Sequence, residues 1–224
     1  MTRVVIADDQ ELVRVGFTMI LERAGLTVVG QAADGVEAVE IALVEDPDVV
    51  LMDVRMPRMD GIQATRRLLD QRPAVRVLML TTFDLDDYVY AAVKAGASGF
   101  LLKDVSPGDL VHAVGAIARG DAMLAPALTR RLLQRFAAAP PEGILDPVVS
   151  ALSERERQVL SLVAAGDSNQ AIAAVLFLSE ATVKTYVSRL LATLHLRDRV
   201  QLAVLAYESG LVRAGTRPAR KAGA

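Results

Sequence analysis

Short, almost wholly apolar runs alternate with amphipathic stretches through the first 120 residues. RVVIA (3–7), LTVVGQA (26–32), DVVLMD (48–53), RVLMLT (76–81) and SGFLL (98–102) are the apolar runs. Each is short enough for a strand, and near-continuous apolar character is what strands buried on both faces require. Between them apolar residues recur at helical spacing. Leu12, Val15, Met19 and Ile20 mark a helix over 11–24. Further helices are predicted over 35–45, 62–71, 86–95 (stopped at Gly96) and 107–119, the last entered at Pro107, the favoured first helical position. Five strands alternating with five helices predict an α/β fold with a doubly wound, five-stranded parallel sheet.

The rhythm breaks over 121–148. Pro126 opens a short helix through about Phe136, and AAAPPEG reads as a linker stiffened by Pro-Pro. From residue 152 the pattern is all-α. Ser153 with Glu156 three residues later is a capping box before an apolar-periodic helix that contains Leu160 and Val163 and ends at Gly166. Asp167 and Ser168 cap a second helix (169–176), Phe177 and Leu178 make a short turn, Ser179 caps a third helix (180–193), and a fourth (199–209) ends at Gly210. The helix, short turn and helix over 168–193 have helix-turn-helix spacing, although a plain four-helix bundle has it too. The third helix has an apolar back (Ala181, Val183, Val187, Leu190, Leu194), while Thr182, Lys184, Thr185, Ser188 and Arg189 point elsewhere. Short polar side chains and Lys on such a front suit the DNA major groove. The domains expected are 1–120, a linker over 121–148, 149–212, and a tail over 213–224 that is too polar to order.

Length and composition refine this picture. The 224 residues suit two domains, and a 52% hydrophobic content can fill a core in each. The absence of cysteine excludes disulfides, thiolate catalysis and Cys-based metal sites. The two histidines, His112 and His195, are isolated and give no catalytic or metal-binding constellation. The N-terminal MTRVVIADDQ lacks signal-peptide character, and no apolar run approaches the ~20 residues of a membrane span, so a cytoplasmic protein without a membrane partner is expected. Charge is asymmetric. Residues 1–120 carry 12 Lys/Arg against 18 Asp/Glu, net −6, and residues 149–224 carry 10 against 6, net +4, which suggests different partners for the two halves.

The acids gain meaning once placed on the sheet. Asp8 and Asp9 follow the first strand, Asp53 ends the third, Thr81 ends the fourth and Lys103 follows the fifth. All five stand at the carboxyl edge, where open α/β sheets bind ligands. Taken singly, such acids most often cap helices. Together, the carboxylates repel unless a cation intervenes, and an oxygen-only set suits Mg²⁺. One carboxylate can then act as nucleophile toward a phosphoryl group, with metal, Lys and hydroxyl balancing charge.

DD at 8–9, LMDVRMPRMDG at 51–61, LTT at 80–82 and GASGFLLKD at 96–104 resemble the receiver domain of two-component response regulators, a flavodoxin-like fold, over about residues 1–120. The resemblance implies that Asp53 accepts phosphate from a sensor histidine kinase. It implies that Asp8, Asp9, Asp53 and the Arg55 carbonyl hold Mg²⁺, that Lys103 pairs with the phosphate, and that Thr81 and the aromatic Phe100 form the switch. Asp104 stands where many receivers have Pro. Arg55 and Phe83 occupy positions that tune phosphate loss in the family, and their bulk is expected to shield the acyl phosphate.

LSERERQVLSLVAAG (152–166) and LSEATVKTYVSRLLATLHLRDRVQLAVLAYESGL (178–211) resemble the LuxR-type DNA-binding domain, and the two halves together resemble NarL/FixJ response regulators. That resemblance implies Lys184, Thr185 and Ser188 facing bases, Thr182, Arg189 and Asn169 nearer phosphates, and the last helix mediating dimerisation. Tyr186 replaces a usual His. His195 stands where Gly often follows the recognition helix, and a structural role at positive φ is expected there. The expected protein is a transcriptional response regulator whose phosphorylation promotes homodimerisation and binding to a double-stranded DNA operator of two half-sites. No enzymatic activity beyond slow self-dephosphorylation is expected. A phosphorylation-independent regulator is the alternative. An aspartate-nucleophile phosphatase is disfavoured, because such enzymes carry the nucleophile after the first strand with a second Asp two residues on.

Overall fold

The computed structural model describes residues 1–81, 86–119, 123–124 and 147–212. The short helix expected after Pro126, the AAAPPEG linker, Phe83 and the 213–224 tail lie outside the described residues. The chain divides into two compact units, Met1–Ala125 and Pro126–Ala224.

In the first unit the predicted alternation is realised as β1 (Arg3–Ala7), α1 (Glu11–Arg23), β2 (Thr27–Ala32), α2 (Gly35–Glu45), β3 (Val49–Asp53), α3 (Gly61–Gln71), β4 (Arg76–Thr81), α4 (Asp86–Lys94), β5 (Gly99–Leu102) and α5 (Pro107–Ala118). A sixth strand, β6 (Met123–Leu124), lies in the stretch read from the sequence as linker and pairs in parallel with β5. Two residues carry no periodicity, so the pattern could not reveal it.

The sheet order is β2-β1-β3-β4-β5-β6, every pair parallel. The apolar runs are buried as their composition requires: Val4–Ala7, Val49–Met52 and Val77–Leu80 are wholly inaccessible to solvent. Each large side chain among them contributes about 2 kcal/mol of burial. Strand order reverses between β1 and β3, so the crevice between their carboxyl ends is the switch point where this architecture receives ligands.

The second unit is helical: α6 (Pro147–Ser150), α7 (Glu154–Ala164), α8 (Asn169–Leu176), α9 (Glu180–Thr193) and α10 (Arg199–Glu208). Single-turn α6 adds to the four helices expected. It is too short for a periodic signal, and Arg157 of α7 donates to the carbonyl of Ser150, its last residue, and to that of Leu152 just beyond it. The capping box at Ser153 and Glu156 forms with both reciprocal bonds. Ser168 and Ser179 cap α8 and α9 by accepting from Ala171 N–H and Thr182 N–H.

Leu160, Ile172, Val183, Leu190, Leu202 and Ala206 belong to one buried cluster that joins α7 to α10. Of the apolar back foreseen for α9, Val183 and Leu190 are buried and Val187 and Leu194 half-buried, but Ala181 is exposed. It sits in the first turn of α9. The axes of α8 and α9 bend by 108° across the turn, within the helix-turn-helix range. His195 adopts φ +53°, as its place after α9 predicts. Among the described residues no single helix is long and apolar enough to cross a membrane.

Candidate functional site

The acidic site follows directly from where the strands stop. Asp8 lies one residue past β1 and is fully buried, Asp53 is the last residue of β3 and Thr81 the last of β4, both buried, and Asp9 is exposed at the rim. Lys103 follows β5, and its Nζ lies 2.7 Å from Asp8 Oδ2 and 2.9 Å from Asp53 Oδ2. One carboxylate oxygen from each of Asp8, Asp9 and Asp53 lies within 4.8 Å of the others. Asp8 is tethered locally, its Oδ1 accepting from Gln10 N–H at 3.0 Å. Its Oδ2 is buried without a well-directed hydrogen bond, so the close Lys103 contact is an ion pair.

Two buried carboxylates share one ammonium, with the exposed Asp9 carboxylate beside them, so negative charge is in excess. Burial pushes the Asp53 carboxyl above its usual range, and the Asp8 charge adds to this. Lys103 and the Arg55 backbone N–H oppose the rise without cancelling it. Burial pulls Lys103 down, but its contacts with Asp8 and Asp53 outweigh that and hold the ammonium above its usual value. The residues therefore fit a hard divalent cation: the donors are all oxygen, they converge, and a buried oxygen of Asp8 has unused lone pairs.

The loop after β3 is clamped from several sides. Val54 N–H donates to the Leu80 carbonyl and Gly61 N–H to the Val54 carbonyl, each at 3.0 Å. A Cβ on Gly61 would stand 1.9 Å from the Asp53 carbonyl oxygen, so only glycine allows α3 to start this close to β3. Arg58, at φ +60°, pairs with buried Asp34 and, at 2.7 Å, with Glu37. Asp34 in turn caps α2 by accepting from Val36 and Glu37 N–H. Sequence reasoning assigned nothing to Asp34 or Arg58. A capping acid before Gly35 was the available signal for the first, and the second had none. The Arg55 guanidinium, expected over the acyl phosphate, is engaged elsewhere: it donates to Tyr88 Oη at 3.0 Å and lies 5.2 Å from that ring's centroid. Phe100 is buried in β5, in register with Met79.

On α9, Lys184, Thr185, Ser188 and Arg189 are exposed together on one unit of the chain, and Thr182 is half-buried. Thr182 is drawn into the cap, its hydroxyl 2.8 Å from that of Ser179. Thr185 Oγ1 donates back to the Ala181 carbonyl at 3.0 Å. Ala181, Thr182, Thr185, Tyr186 and Arg189 line an open cavity of about 390 Å³. Tyr186 offers its ring to the Arg189 guanidinium at 6.0 Å. Asn169 is the first residue of α8, and its Oδ1 accepts from Arg199 at 2.7 Å.

The basic character of this half needs a correction. Residues 149–212 carry six Lys/Arg and six Asp/Glu, and the net +4 comes wholly from Arg213, Arg217, Arg220 and Lys221. The front of α9 is cationic by local placement of Lys184 and Arg189, not by the balance of its domain.

Comparison with known proteins follows the same division. Residues 4–115 match the response regulator receiver domain and residues 150–206 the luxR family of bacterial regulatory proteins. The transcriptional regulatory protein YxjL of Bacillus subtilis (strain 168) is 39% identical over 211 residues, covering 94% of this chain and 97% of YxjL. LiaR of the same organism is 36% identical, covering 95% of this chain and 100% of LiaR. Among solved structures, the response regulator ChrA of a heme-sensing two-component system is 38% identical with a TM-score of 0.51, covering 94% of this chain and 98% of ChrA. Two matched domains in this order, and relatives aligned over nearly the whole length, make this chain a member of the LuxR-type response regulators, a DNA-binding regulator of a two-component system.

Proposed function

We propose that this protein is switched by phosphorylation of Asp53. A carboxylate oxygen of Asp53 attacks the phosphorus of a phosphohistidine on a sensor kinase, the P–N bond breaks, and an acyl phosphate forms. The observation that carries this reading is the convergence at the carboxyl edge, with Lys103 paired to both Asp8 and Asp53 and the three carboxylates within 4.8 Å of one another. Asp8, Asp9, Asp53 and the Arg55 carbonyl would hold Mg²⁺, which when bound neutralises charge on the carboxylates and the incoming phosphoryl oxygens. Lys103 then leaves Asp53 for a phosphoryl oxygen and keeps Asp8. Thr81, at the end of β4, closes its hydroxyl onto the same group, and buried Phe100 on the adjacent strand repacks with it. In this reading the protein's own chemistry is limited to slow loss of the phosphate, with no turnover of a separate substrate.

At the other end of the chain, Lys184, Thr185 and Ser188 read bases in the major groove, while Thr182, Arg189 and Asn169 lie nearer phosphates. Phosphorylation promotes a homodimer through α10 that binds a double-stranded operator of two half-sites in the cytoplasm. A switch of this kind requires phosphate to favour one state by several kcal/mol.

The test is DNA binding to a random-sequence pool with and without beryllofluoride, using the full chain and Asp53→Ala. Tighter binding and a shift to dimer on beryllofluoride, absent in Asp53→Ala, are expected. Equal binding in all four conditions would favour a phosphorylation-independent regulator.

A further inference from the structure

We infer that Arg199 is a positioning residue for DNA binding: from the first turn of α10 it fixes the Asn169 amide so that its N–H₂ end is presented to a DNA phosphate. The inference rests on the reading of Asn169 as a phosphate contact. One guanidinium reaches across 30 residues of sequence to make two bonds, to Asn169 Oδ1 at 2.7 Å and to the Asp167 carbonyl. Both partners flank Ser168, the residue that caps α8. The guanidinium therefore grips the entry to α8 on either side of its cap.

The chemistry of the pair sets the orientation. A guanidinium has only donors, so the amide must meet it with its carbonyl oxygen. The amide nitrogen, with two donors and no acceptor, is then turned away from α10. Without Arg199 an Asn side chain can rotate, and half of its orientations offer a carbonyl oxygen to the phosphate, which repels it. Fixing the amide before DNA arrives removes that loss of freedom from the binding step. Asn169 and Arg199 are both half-buried, which is consistent with a pair held in place at the surface of the domain. Because α10 is also the helix proposed for dimerisation, the clamp links the dimer helix to a DNA contact on α8.

The experiment uses the full chain activated with beryllofluoride and a mixed-sequence DNA duplex, since a phosphate contact does not depend on base identity. Wild type, Asn169→Ala, Arg199→Ala, the double variant and Asn169→Asp are compared across a salt series, with thermal unfolding in parallel. Each single Ala variant should weaken binding about tenfold, and the double variant should be no weaker than either. Asn169→Asp keeps an acceptor for Arg199 but has no donor for phosphate, so it should lose at least as much affinity with its fold intact.

The slope of log affinity against log salt should stay the same in Arg199→Ala. A drop of about 0.9, the signature of one lost phosphate charge contact, would show Arg199 on the DNA itself and overturn the positioning role. Additive losses in the double variant overturn it as well. If Asn169→Ala binds like wild type, the phosphate reading of Asn169 fails first, and the inference with it. If Arg199→Ala does not fold, Asn169→Asp decides: wild-type affinity there overturns the inference.

Discussion

The acidic pocket and the front of α9 handle charge in opposite ways. In the pocket, the Asp8, Asp53 and Lys103 side chains are withdrawn from water, two buried carboxylates face one ammonium, and burial raises the Asp53 carboxyl above its ordinary pKa. On α9, Lys184, Thr185, Ser188 and Arg189 stand in solvent, and the helix is secured by its buried back and its Ser179 cap. The pocket is kept together by the packing around it, against the repulsion within it. The α9 front is supported by residues it does not contain. Substitutions near the pocket should therefore move stability and function together, whereas substitutions on the α9 front should move function alone.

The largest effect expected is at Gly61. Alanine there drives a Cβ to 1.9 Å from the Asp53 carbonyl oxygen, a backbone atom that cannot swing aside. Gly61→Ala should destabilise the first unit by about 3 kcal/mol and slow phosphorylation by displacing Asp53. Urea unfolding and acetyl phosphate labelling measure the two effects. Unchanged stability with normal labelling would show that the loop yields, and that the pocket is not tied to its packing.

Mg²⁺ offers the next test. At a hundred times its Kd the ion should stabilise the first unit by about 2.7 kcal/mol and leave the helical unit unmoved, which calorimetry resolves as two transitions. The sign for the metal-free protein follows from Asp53. Its folded pKa is raised, so its contribution to stability is fully present below the unfolded carboxylate pKa and is lost as pH rises through the folded value. Once pH has risen through that folded value, the ionised group opposes folding. Asp53→Asn should accordingly raise the metal-free midpoint and blunt the gain from Mg²⁺. Lys103 has the same sign of shift, so its contribution persists through neutral pH and fades only as pH rises through its own raised, alkaline value. A metal-free Asp53→Asn protein less stable than wild type would contradict the repulsion on which the comparison rests.

The contrast also explains what the sequence made legible. Five residues (three Asp, a Thr and a Lys) at the ends of four strands converge for topological reasons, so β1, β3, β4 and β5 could be read as runs and their terminal residues placed on one edge. The same logic failed for β6 and α6, whose two and four residues carry no period. It failed too for Arg58, which reaches Asp34 across 24 positions, and for Arg199, which reaches Asn169 across 30. Neither long side chain leaves a local signature. The α9 front was visible as the polar side of an amphipathic helix. The charge thought to mark it belongs instead to the four basic residues after Val212, because a domain total does not say where the charges lie.

On α9 the predicted separation is sharpest at Lys184. Lys184→Ala should weaken DNA binding by about 2 kcal/mol while the unfolding midpoint of the helical unit stays within experimental scatter, since the side chain is exposed. Fluorescence anisotropy and thermal unfolding on the same protein separate the two. A matching fall in stability would mean that the front of α9 is not independent of its back.

The smallest effect compares the same backbone conformation in both regions. Arg58 has φ +60° and Phe177 φ +54°, values at which glycine is favoured and a larger side chain is strained. At Arg58 the strain is offset by the pairs to Asp34 and Glu37, and Asp34 is almost fully buried. Arg58→Gly should therefore destabilise the first unit by about 1 kcal/mol, a figure kept low because the Arg58 side chain is 56% exposed. At Phe177 nothing comparable offsets it: the residue caps α8 with its side chain 95% exposed. Phe177→Gly should stabilise the helical unit by about 0.5 kcal/mol, after the greater freedom of glycine in the unfolded chain is set against the relieved strain. The two substitutions are chemically alike and differ in sign because one side chain is tied to a buried charge and the other meets only water. Chemical denaturation of both variants reads that sign directly. If Phe177→Gly also destabilised its unit, the exposed ring would have a structural partner, and the turn of the helix-turn-helix would resemble the pocket loop more closely than the geometry indicates.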